Sequence, residues 1–293
     1  MDGINYIKIV DGAGNTYHGG NQSWWKEKAG YQESKGRLDH IKKLGKDKYY
    51  RLWKTGCGVI AMCDAELYLR ILNTYKGDHI EGKGCADDNE LEDAIKYENN
   101  KKWVWELLSP MEGNVGVYTQ EKYMTYVEAL YSSNYKIGSD FISCIFEGLK
   151  PWCMKRGLNR FLSNEAYDVK KVTWARYWAH TRKQQKKLVL LDMKRMLNAN
   201  IPVVFSYYAF GKKKQNQITL YLDEASAKNK LKNNCGTVNG HYMTIIGLLK
   251  YGREEDANPK YILKVVSWGR VYYIDYDEYA DKLSYFSNIL SIY

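Results

Sequence analysis

A cysteine between two glycines is the residue of this sequence best placed for nucleophilic chemistry. Gly56, Cys57 and Gly58 precede apolar residues at the three-and-four spacing of an amphipathic helix, from Val59 to Ile71. The pattern predicts a cysteine in the first turn of a helix, where the amides and the helix dipole favour the thiolate. Because the thiolate is the nucleophile, and glycine lets a substrate backbone approach, Cys57 is a candidate catalytic residue. The alternative is a cysteine that acts as a small buried hydrophobe.

A cysteine nucleophile needs a base, and imidazole suits that role because its pKa lies near neutrality. Five histidines are present. His241 directly follows Gly240 and opens an apolar run that predicts a strand, so its ring could face a cleft. His79 and His180 lie in polar segments and are weaker candidates, whereas His18 stays an alternative.

A third candidate lies near the amino terminus, in residues 19–25 (GGNQSWW). Two glycines, an amide side chain and two large aromatics suit a loop that holds Gln22 near a cleft. Trp24 and Trp25 are then candidates for substrate contact, in a chain with 27 tyrosines and 9 tryptophans, which suit ligand-stacking surfaces. The alternative is a solvated Gln22 beside tryptophans that only anchor the loop.

The elements that must position these residues change character near residue 170. Upstream we predict a strand at 6–10, helices from Cys57 to about 73, at 91–108 and at 119–132, and loops at 32–50 (with a short helix) and 76–88. Downstream we predict a helix at 184–200, a polar loop at 223–239 and a last helix capped by Asp277. We also predict strands at 203–210, 218–222, 241–249, 261–268 and 271–276. These elements predict an α+β fold. A mainly helical lobe with an N-terminal strand and loop (1–170) precedes an antiparallel sheet lobe (171–293) in a single domain, 1–293.

The order of these features resembles the papain-like cysteine peptidase superfamily, in a divergent, bacterial-type form. The resemblance rests on the cysteine at the head of a helix, the Gly-His that opens a strand, and Ser-Trp-Gly at 267–269 closing the next strand. It extends from Gly19 to Tyr276, but residues 77–170 match no part of it. It implies two lobes facing each other across a cleft, and a thiol-dependent hydrolase that cleaves peptide or amide bonds.

The resemblance gives Cys57 the role of nucleophile and His241 that of general acid and base. Papain-like enzymes carry a glutamine six residues before the cysteine, but Arg51 occupies that position here. We therefore expect Gln22, with the backbone amide of Cys57, to donate to the oxyanion of the tetrahedral intermediate.

A second departure concerns the residue that orients the histidine. The family places asparagine before Ser-Trp-Gly, whereas this chain has Val266, which cannot accept a hydrogen bond through its side chain. Ser267 is expected to accept from the imidazole, with Trp268 shielding the contact. Neighbours on a strand face opposite ways, so Val266 and Ser267 cannot both point at His241. A site with no side-chain orienter is the alternative.

We expect substrate contacts from Trp24, Trp25, Gly56, Gly240 and Trp268. Other functions are consistent with the same residues, both as a different hydrolase and as a non-catalytic binding module. Residues 240–247 (GHYMTIIG) also resemble the histidine strand of NlpC-type cell-wall amidases, and a comparable resemblance exists to bacteriocin leader peptidases. A papain-like module that binds peptides without turnover belongs to a different functional class.

The amino-acid composition limits the kinds of molecule that this protein is expected to bind. The net charge is +10, but the lysines form many short clusters without a recognisable nucleic-acid-binding module. We therefore expect a peptide or protein substrate and no specific nucleic acid. Six cysteines without zinc-ribbon spacing predict reduced thiols, no metal and no cofactor. No run is long enough for a membrane span, and the amino terminus lacks an export signal, which predicts a cytoplasmic protein, or a secreted one if a signal was trimmed. The sequence has no signature of oligomeric state.

Overall fold

The computed structural model describes residues 6–30, 35–79, 116–133, 149, 151–163, 172–174, 181–207, 217–231, 235–251, 260–282 and 288–292. The chain divides into two compact units, one of Ile7–Lys170 and one that contains Tyr6 and the residues from 171 onward. Both helices and antiparallel strands are present, which confirms the predicted α+β class. The helix predicted at 91–108 lies outside the described residues.

The unit of Ile7–Lys170 is mainly helical. Its small sheet has the order β2-β1-β3, in which β1 (Lys8–Val10) is antiparallel to β2 (Thr16–His18) and parallel to β3 (Val117–Thr119). A 3-10 turn at Gln22–Trp24 leads into the helices, which are α1 (Trp25–Lys28), α2 (Arg37–Lys46), α3 (Lys48–Thr55), α4 (Cys57–His79), α5 (Gln120–Ser133) and α6 (Pro151–Ser163).

The helix predicted at 119–132 is confirmed as α5, and the segment 32–50, predicted as a loop with a short helix, is more helical than expected. That segment contains α2 and the start of α3. Asp47 separates the two helices and caps the second, because its carboxylate accepts from the amides of Tyr49 at 2.8 Å and Tyr50 at 3.2 Å.

The helix that begins at Cys57 is the centre of its unit. Every residue from Gly58 to Leu69 is buried, including Asp64 and Glu66. α4 packs against α3, α5 and α6. A helix with one apolar stripe was predicted, but a helix enclosed on all sides buries every face, whatever its spacing. α4 also continues to His79, through the start of the loop predicted at 76–88.

The second unit is built on an antiparallel sheet with the strand order β4-β11-β5-β8-β9-β10-β6-β7. Its strands are β4 (Val172–Trp174), β5 (Val203–Tyr207), β6 (Ile218–Tyr221), β7 (Cys235–Val238), β8 (His241–Tyr251), β9 (Lys260–Ser267), β10 (Arg270–Asp275) and β11 (Asn288–Ile292). Its helices are α7 (Arg182–Asn198), α8 (Glu224–Asn229) and α9 (Tyr276–Lys282). α7 begins with a capping box between Thr181 and Gln184. None of the described helices is both long and apolar enough to cross a membrane.

Two sequence predictions for this unit are wrong, one for a loop and one for the residue that caps a helix. The segment 223–239 contains α8 and β7, and Asp223 starts α8 by accepting from the Ser226 amide at 2.7 Å. The last helix is capped by Asp275, which accepts from the amides of Asp277 at 2.8 Å and Glu278 at 3.1 Å. Asp277 is therefore inside the helix and does not cap it.

The chain connection between β7 and β8 forces this sheet to curl. Only Asn239 and Gly240 join the two strands, although β9, β10 and β6 lie between them in the sheet. Four flat strand spacings cover about 19 Å, whereas three consecutive Cα–Cα steps reach at most about 11 Å. Gly240 has φ 67°, in the left-handed region that glycine adopts freely. The turn ends where His241 begins β8.

Candidate active site

Cys57 is the first residue of α4 and is partly exposed. Gly56 joins α3 to α4, because its amide donates to the Leu52 carbonyl at 3.1 Å and its own carbonyl accepts from the Ile60 amide at 2.9 Å. The sulfur therefore belongs to the first turn of a helix whose residues from Gly58 to Leu69 are buried. The positive end of the helix dipole lies at this first turn, which is a setting that favours an anion.

Gly56 has a packing reason to be glycine. A Cβ at this position would collide with the Leu52 carbonyl. The tight junction between α3 and α4 accounts for this glycine, and the predicted role of Gly56 in substrate approach is not needed to explain it.

Gln22 begins the 3-10 turn that precedes α1. Asn21 caps this turn, because its side chain accepts from the Ser23 amide at 3.0 Å. The Gln22 Oε1 atom is buried and has no hydrogen-bond partner among the residues that the structure describes. The side-chain oxygen of Gln22 is thus desolvated although the residue is partly exposed, which differs from the fully solvated loop side chain that was the alternative.

The two tryptophans after Gln22 differ in environment. Trp25 is 0% exposed, and its Nε1 donates to Glu128 Oε1 at 3.1 Å. The predicted substrate contact by Trp25 is therefore wrong, because a wholly enclosed indole has no surface for a ligand; it anchors the loop. Trp24 is partly exposed and lies edge-on to Tyr17 at 5.3 Å and to Tyr123 at 5.8 Å between ring centroids.

Asp64 is a buried acid that sequence reasoning missed. Its carboxyl oxygens accept from the Gly20 amide at 3.2 and 3.0 Å and from the Tyr123 hydroxyl at 2.5 Å. Burial raises the pKa of Asp64 to about 7, although both hydrogen bonds act to lower it. The signal was present in the sequence: Asp64 lies in an apolar helix with no charged residue three or four positions away.

His241 occupies the first position of β8 and is 6% exposed. Its Nε2 is hydrogen-bonded to Ser267 Oγ at 2.6 Å. Burial lowers the pKa of His241 to about 3, because the charged imidazolium is desolvated. The imidazole is therefore neutral at neutral pH.

The register of β8 and β9 explains why Ser267 reaches the histidine and Val266 does not. Thr244 pairs with Val266, so Ser267 and His241 lie on the other face of the sheet. The contact expected between Ser267 and the imidazole is present, and Val266 is buried away from it at 3% exposure.

Trp268 covers the imidazole. The two rings are stacked with centroids 4.2 Å apart and planes 19° apart. Trp268 and Gly269 form the two-residue turn of the β9–β10 hairpin, with φ of 48° and 73°. Positive φ at both positions fits a type I′ turn. Left-handed backbone is unusual for a bulky side chain, and such strain is often held at functional sites.

Arg51 and His40 serve the packing of their unit. Arg51 is buried and donates from Nε to the Leu44 carbonyl and from Nη1 to the Tyr131 hydroxyl at 3.1 Å. It therefore does not replace the glutamine of papain-like enzymes. His40 Nδ1 is hydrogen-bonded to the Tyr50 hydroxyl at 2.8 Å. His180 lies outside the described residues.

The cysteines have different surroundings. Cys63 is buried, and burial raises the pKa of its thiol well above the usual value, with smaller contributions from Glu66 and Asp64. Cys57, Cys153 and Cys235 are partly exposed thiols, and Cys85 and Cys144 lie outside the described residues. In the described part of the chain, no group of three or more histidine, cysteine or acidic side chains is arranged to hold a metal ion.

The structure thus brings together His241, Ser267 and Trp268 in one unit. In the other unit, Asp64 links the loop of Gln22 to the helix that starts with Cys57. No family model, no curated protein and no solved structure matches this chain.

Proposed function

We propose that this protein is a thiol-dependent hydrolase of peptide or amide bonds. Cys57 is the nucleophile, His241 moves the proton, Ser267 orients His241, and Gln22 with the Cys57 amide binds the oxyanion. No cofactor or metal takes part. The family resemblance in the order of these residues and the geometry of each half support this assignment.

The observation that carries the proposal is the hydrogen bond between His241 Nε2 and Ser267 Oγ at 2.6 Å. With Nε2 occupied, Nδ1 is the nitrogen for proton exchange. The ring is fixed from one side by this bond and from above by the Trp268 indole. The turn that presents this indole has left-handed backbone at Trp268, as a type I′ turn requires.

The chemical steps follow from the roles. The Cys57 sulfur attacks the carbonyl carbon, and neutral His241 takes the thiol proton as the C–S bond forms. The carbonyl oxygen becomes an oxyanion that accepts from Gln22 and the Cys57 amide. The imidazolium then protonates the leaving amine, and the C–N bond breaks. Water, deprotonated by His241, hydrolyses the thioester and releases the acid and the free thiol.

Alkylation with iodoacetamide tests the nucleophile. We expect Cys57 to react fastest at pH 7, measured by peptide mass spectrometry over a time course. Cys153 and Cys235 are internal controls because they are also partly exposed, and Cys63 should stay unmodified because it is buried and its pKa is raised. The proposal fails if another cysteine reacts before Cys57.

His241→Ala tests the pairing. If the imidazole takes the thiol proton, this variant slows alkylation of Cys57 at pH 7, but not at ~pH 10, where a thiol ionises unaided. Equal rates for wild type and His241→Ala at pH 7 would show that the two residues do not cooperate.

Turnover separates the hydrolase from a binding module. We expect hydrolysis of p-nitrophenyl acetate and of a casein peptide mixture by wild type and none by Cys57→Ala. Peptides that bind both proteins equally, without product, would instead establish the non-catalytic module. Release of stem peptides from purified cell walls, with casein peptides untouched, would indicate the amidase.

A further inference from the structure

We propose that Asp64 and Tyr123 are positioning residues that hold Gln22 at the oxyanion site, an inference that rests on the proposed function. Neither residue contacts the reacting atoms. Their role is to fix the loop of Gly20 and Gln22 against the helix that carries Cys57.

Three separate parts of the unit meet through hydrogen bonds at the Asp64 carboxyl. Asp64 lies on α4, Tyr123 on α5, and Gly20 in the loop after β2. The carboxyl of Asp64 accepts from the Gly20 amide with both oxygens and from the Tyr123 hydroxyl with Oδ1. Asp64 is 3% exposed and Tyr123 is 0% exposed, so water does not compete for these bonds.

The hydrogen bonds at Asp64 lie close enough to Cys57 to affect the position of Gln22 relative to the sulfur. Asp64 follows Cys57 by seven residues, which is two helical turns on nearly the same face and about 10 Å along the axis. Gln22 follows Gly20 by two residues, which span at most about 7 Å. A loop fixed at Asp64 therefore has Gln22 within reach of the first turn of α4.

Gln22 depends on its neighbours for its position. The described residues supply no hydrogen-bond partner to its buried Oε1. Its backbone is held before it at Gly20 and after it at Trp25, whose indole donates to Glu128 at 3.1 Å. An amide held in this way keeps its donors for a substrate oxygen, because none of the anchoring bonds uses them.

Gly20 shows how close the approach is. A Cβ at Gly20 would collide with the hydroxyl and ring of Tyr123. The loop backbone is thus pressed against the same tyrosine that donates to Asp64.

Within α4 the nearest ionisable neighbours are Cys63 and Glu66, and Glu66 accepts from the Tyr126 hydroxyl at 3.3 Å. Tyr126 therefore provides a matched control, since it is a second buried tyrosine on α5 bonded to an acid on α4.

The test compares two reactions of the same sulfur. Acylation by p-nitrophenyl acetate develops an oxyanion, whereas alkylation by iodoacetamide does not, so only acylation needs Gln22. We expect Tyr123→Phe and Asp64→Asn to slow acylation by about tenfold or more while alkylation changes less than about twofold. Tyr126→Phe should leave both rates near those of wild type.

A double variant checks that the effect passes through Gln22. In a Gln22→Ala background, Tyr123→Phe should have little further effect on acylation, because the donor that it positions is already absent. Hydrogen exchange of residues 19–24, by mass spectrometry, should be faster in Tyr123→Phe than in Tyr126→Phe.

The outcomes separate this inference from the proposed function. If wild type is acylated at Cys57 and Tyr123→Phe is acylated as fast, the positioning role is wrong and the hydrolase stands. Equal slowing of acylation and alkylation would also overturn it, since that indicates general damage. If wild type is not acylated at all, the proposed hydrolase function is wrong. Unchanged hydrogen exchange of residues 19–24 in Tyr123→Phe would show that the hydrogen bonds at Asp64 do not hold the loop.

Discussion

His241 Nε2 and Ser267 Oγ lie 2.6 Å apart, on adjacent antiparallel strands and buried from solvent. In the tautomer that the proposed function requires, Nε2 donates to Ser267, and Nδ1 keeps the lone pair that a base needs. The alternation of side chains along β9 makes Ser267, and not Val266, the residue that reaches the ring.

Ser267→Ala is expected to lower the rate of Cys57 acylation by more than about tenfold, because the imidazole loses the bond that sets its orientation. The measurement is the p-nitrophenyl acetate rate at pH 7. Ser206→Ala is the control, since Ser206 is buried in the same sheet, on β5. A loss below tenfold would reduce Ser267 to a packing role.

Val266→Asn should not rescue Ser267→Ala, even though it restores the residue type that the family places there. The Val266 side chain lies on the opposite face of the sheet from His241, at 3% exposure. A buried, unpaired amide costs about 1–3 kcal/mol, so Val266→Asn should lower the urea midpoint without restoring acylation. Recovery of activity would mean that the strand can change its register.

Protonation of His241 should make the protein less stable in acid. The pKa is about 3 in the folded protein against a model value of 6.5, so the unfolded chain binds more protons between these values. This contribution is complete above about pH 6.5 and is lost as the pH falls toward the folded value. Urea unfolding from pH 4 to 8 should therefore show a steeper acid loss in wild type than in His241→Gln. Parallel profiles would show that the ring is hydrated.

Ionisation of Asp64 should have the opposite effect on stability, which should fall as the pH rises. Its pKa is about 7 in the folded protein against a model value of 3.8, so the folded state retains the proton longer. Its stabilising contribution is present below about pH 4 and falls by about 4 kcal/mol as the pH rises through 7. Asp64→Asn should remove this loss, so that the unfolding free energy of the variant rises relative to wild type between pH 4 and 8. A constant difference between the two proteins would contradict the assignment.

Replacement of Trp268 separates backbone strain from ring stacking. Because residue 268 has φ 48°, Trp268→Gly should be more stable than Trp268→Ala by about 1 kcal/mol. Both variants uncover His241, so its pKa should rise toward the ordinary value as water enters. Thermal unfolding gives the first comparison and histidine proton NMR the second. An unchanged histidine pKa would show that the indole does not shield the ring.

Alanine at Gly20 or Gly56 should destabilise the protein, because in each case the added Cβ collides with a neighbour, Tyr123 or the Leu52 carbonyl. Gly236→Ala is the control, since a Cβ there meets nothing within 4 Å. Denaturant midpoints measure the difference. If Gly56→Ala is as stable as Gly236→Ala, the junction between α3 and α4 is looser than described.

Local pattern was enough to predict much of the fold. The apolar spacing after Gly58 predicted a helix that starts at Cys57, and the run after Gly240 predicted a strand that starts at His241. Alternation along a strand predicted that Val266 and Ser267 would not both face the imidazole, and the structure places Ser267 there. These features depend on neighbours in the chain, so the sequence contains them directly.

The remaining features depend on residues far apart in the chain. Asp64 meets Gly20 and Tyr123 across 44 and 59 residues, and Trp25 meets Glu128 across 103. Such contacts enclosed α4 on every face from Gly58 to Leu69, buried a tryptophan that was expected to meet substrate and set the pKa of Asp64. No periodicity encodes them, because burial is a property of what other segments of the chain place around a residue. The sequence by itself determined where the sulfur and the imidazole begin their elements, and only the tertiary structure decided which groups hold them there.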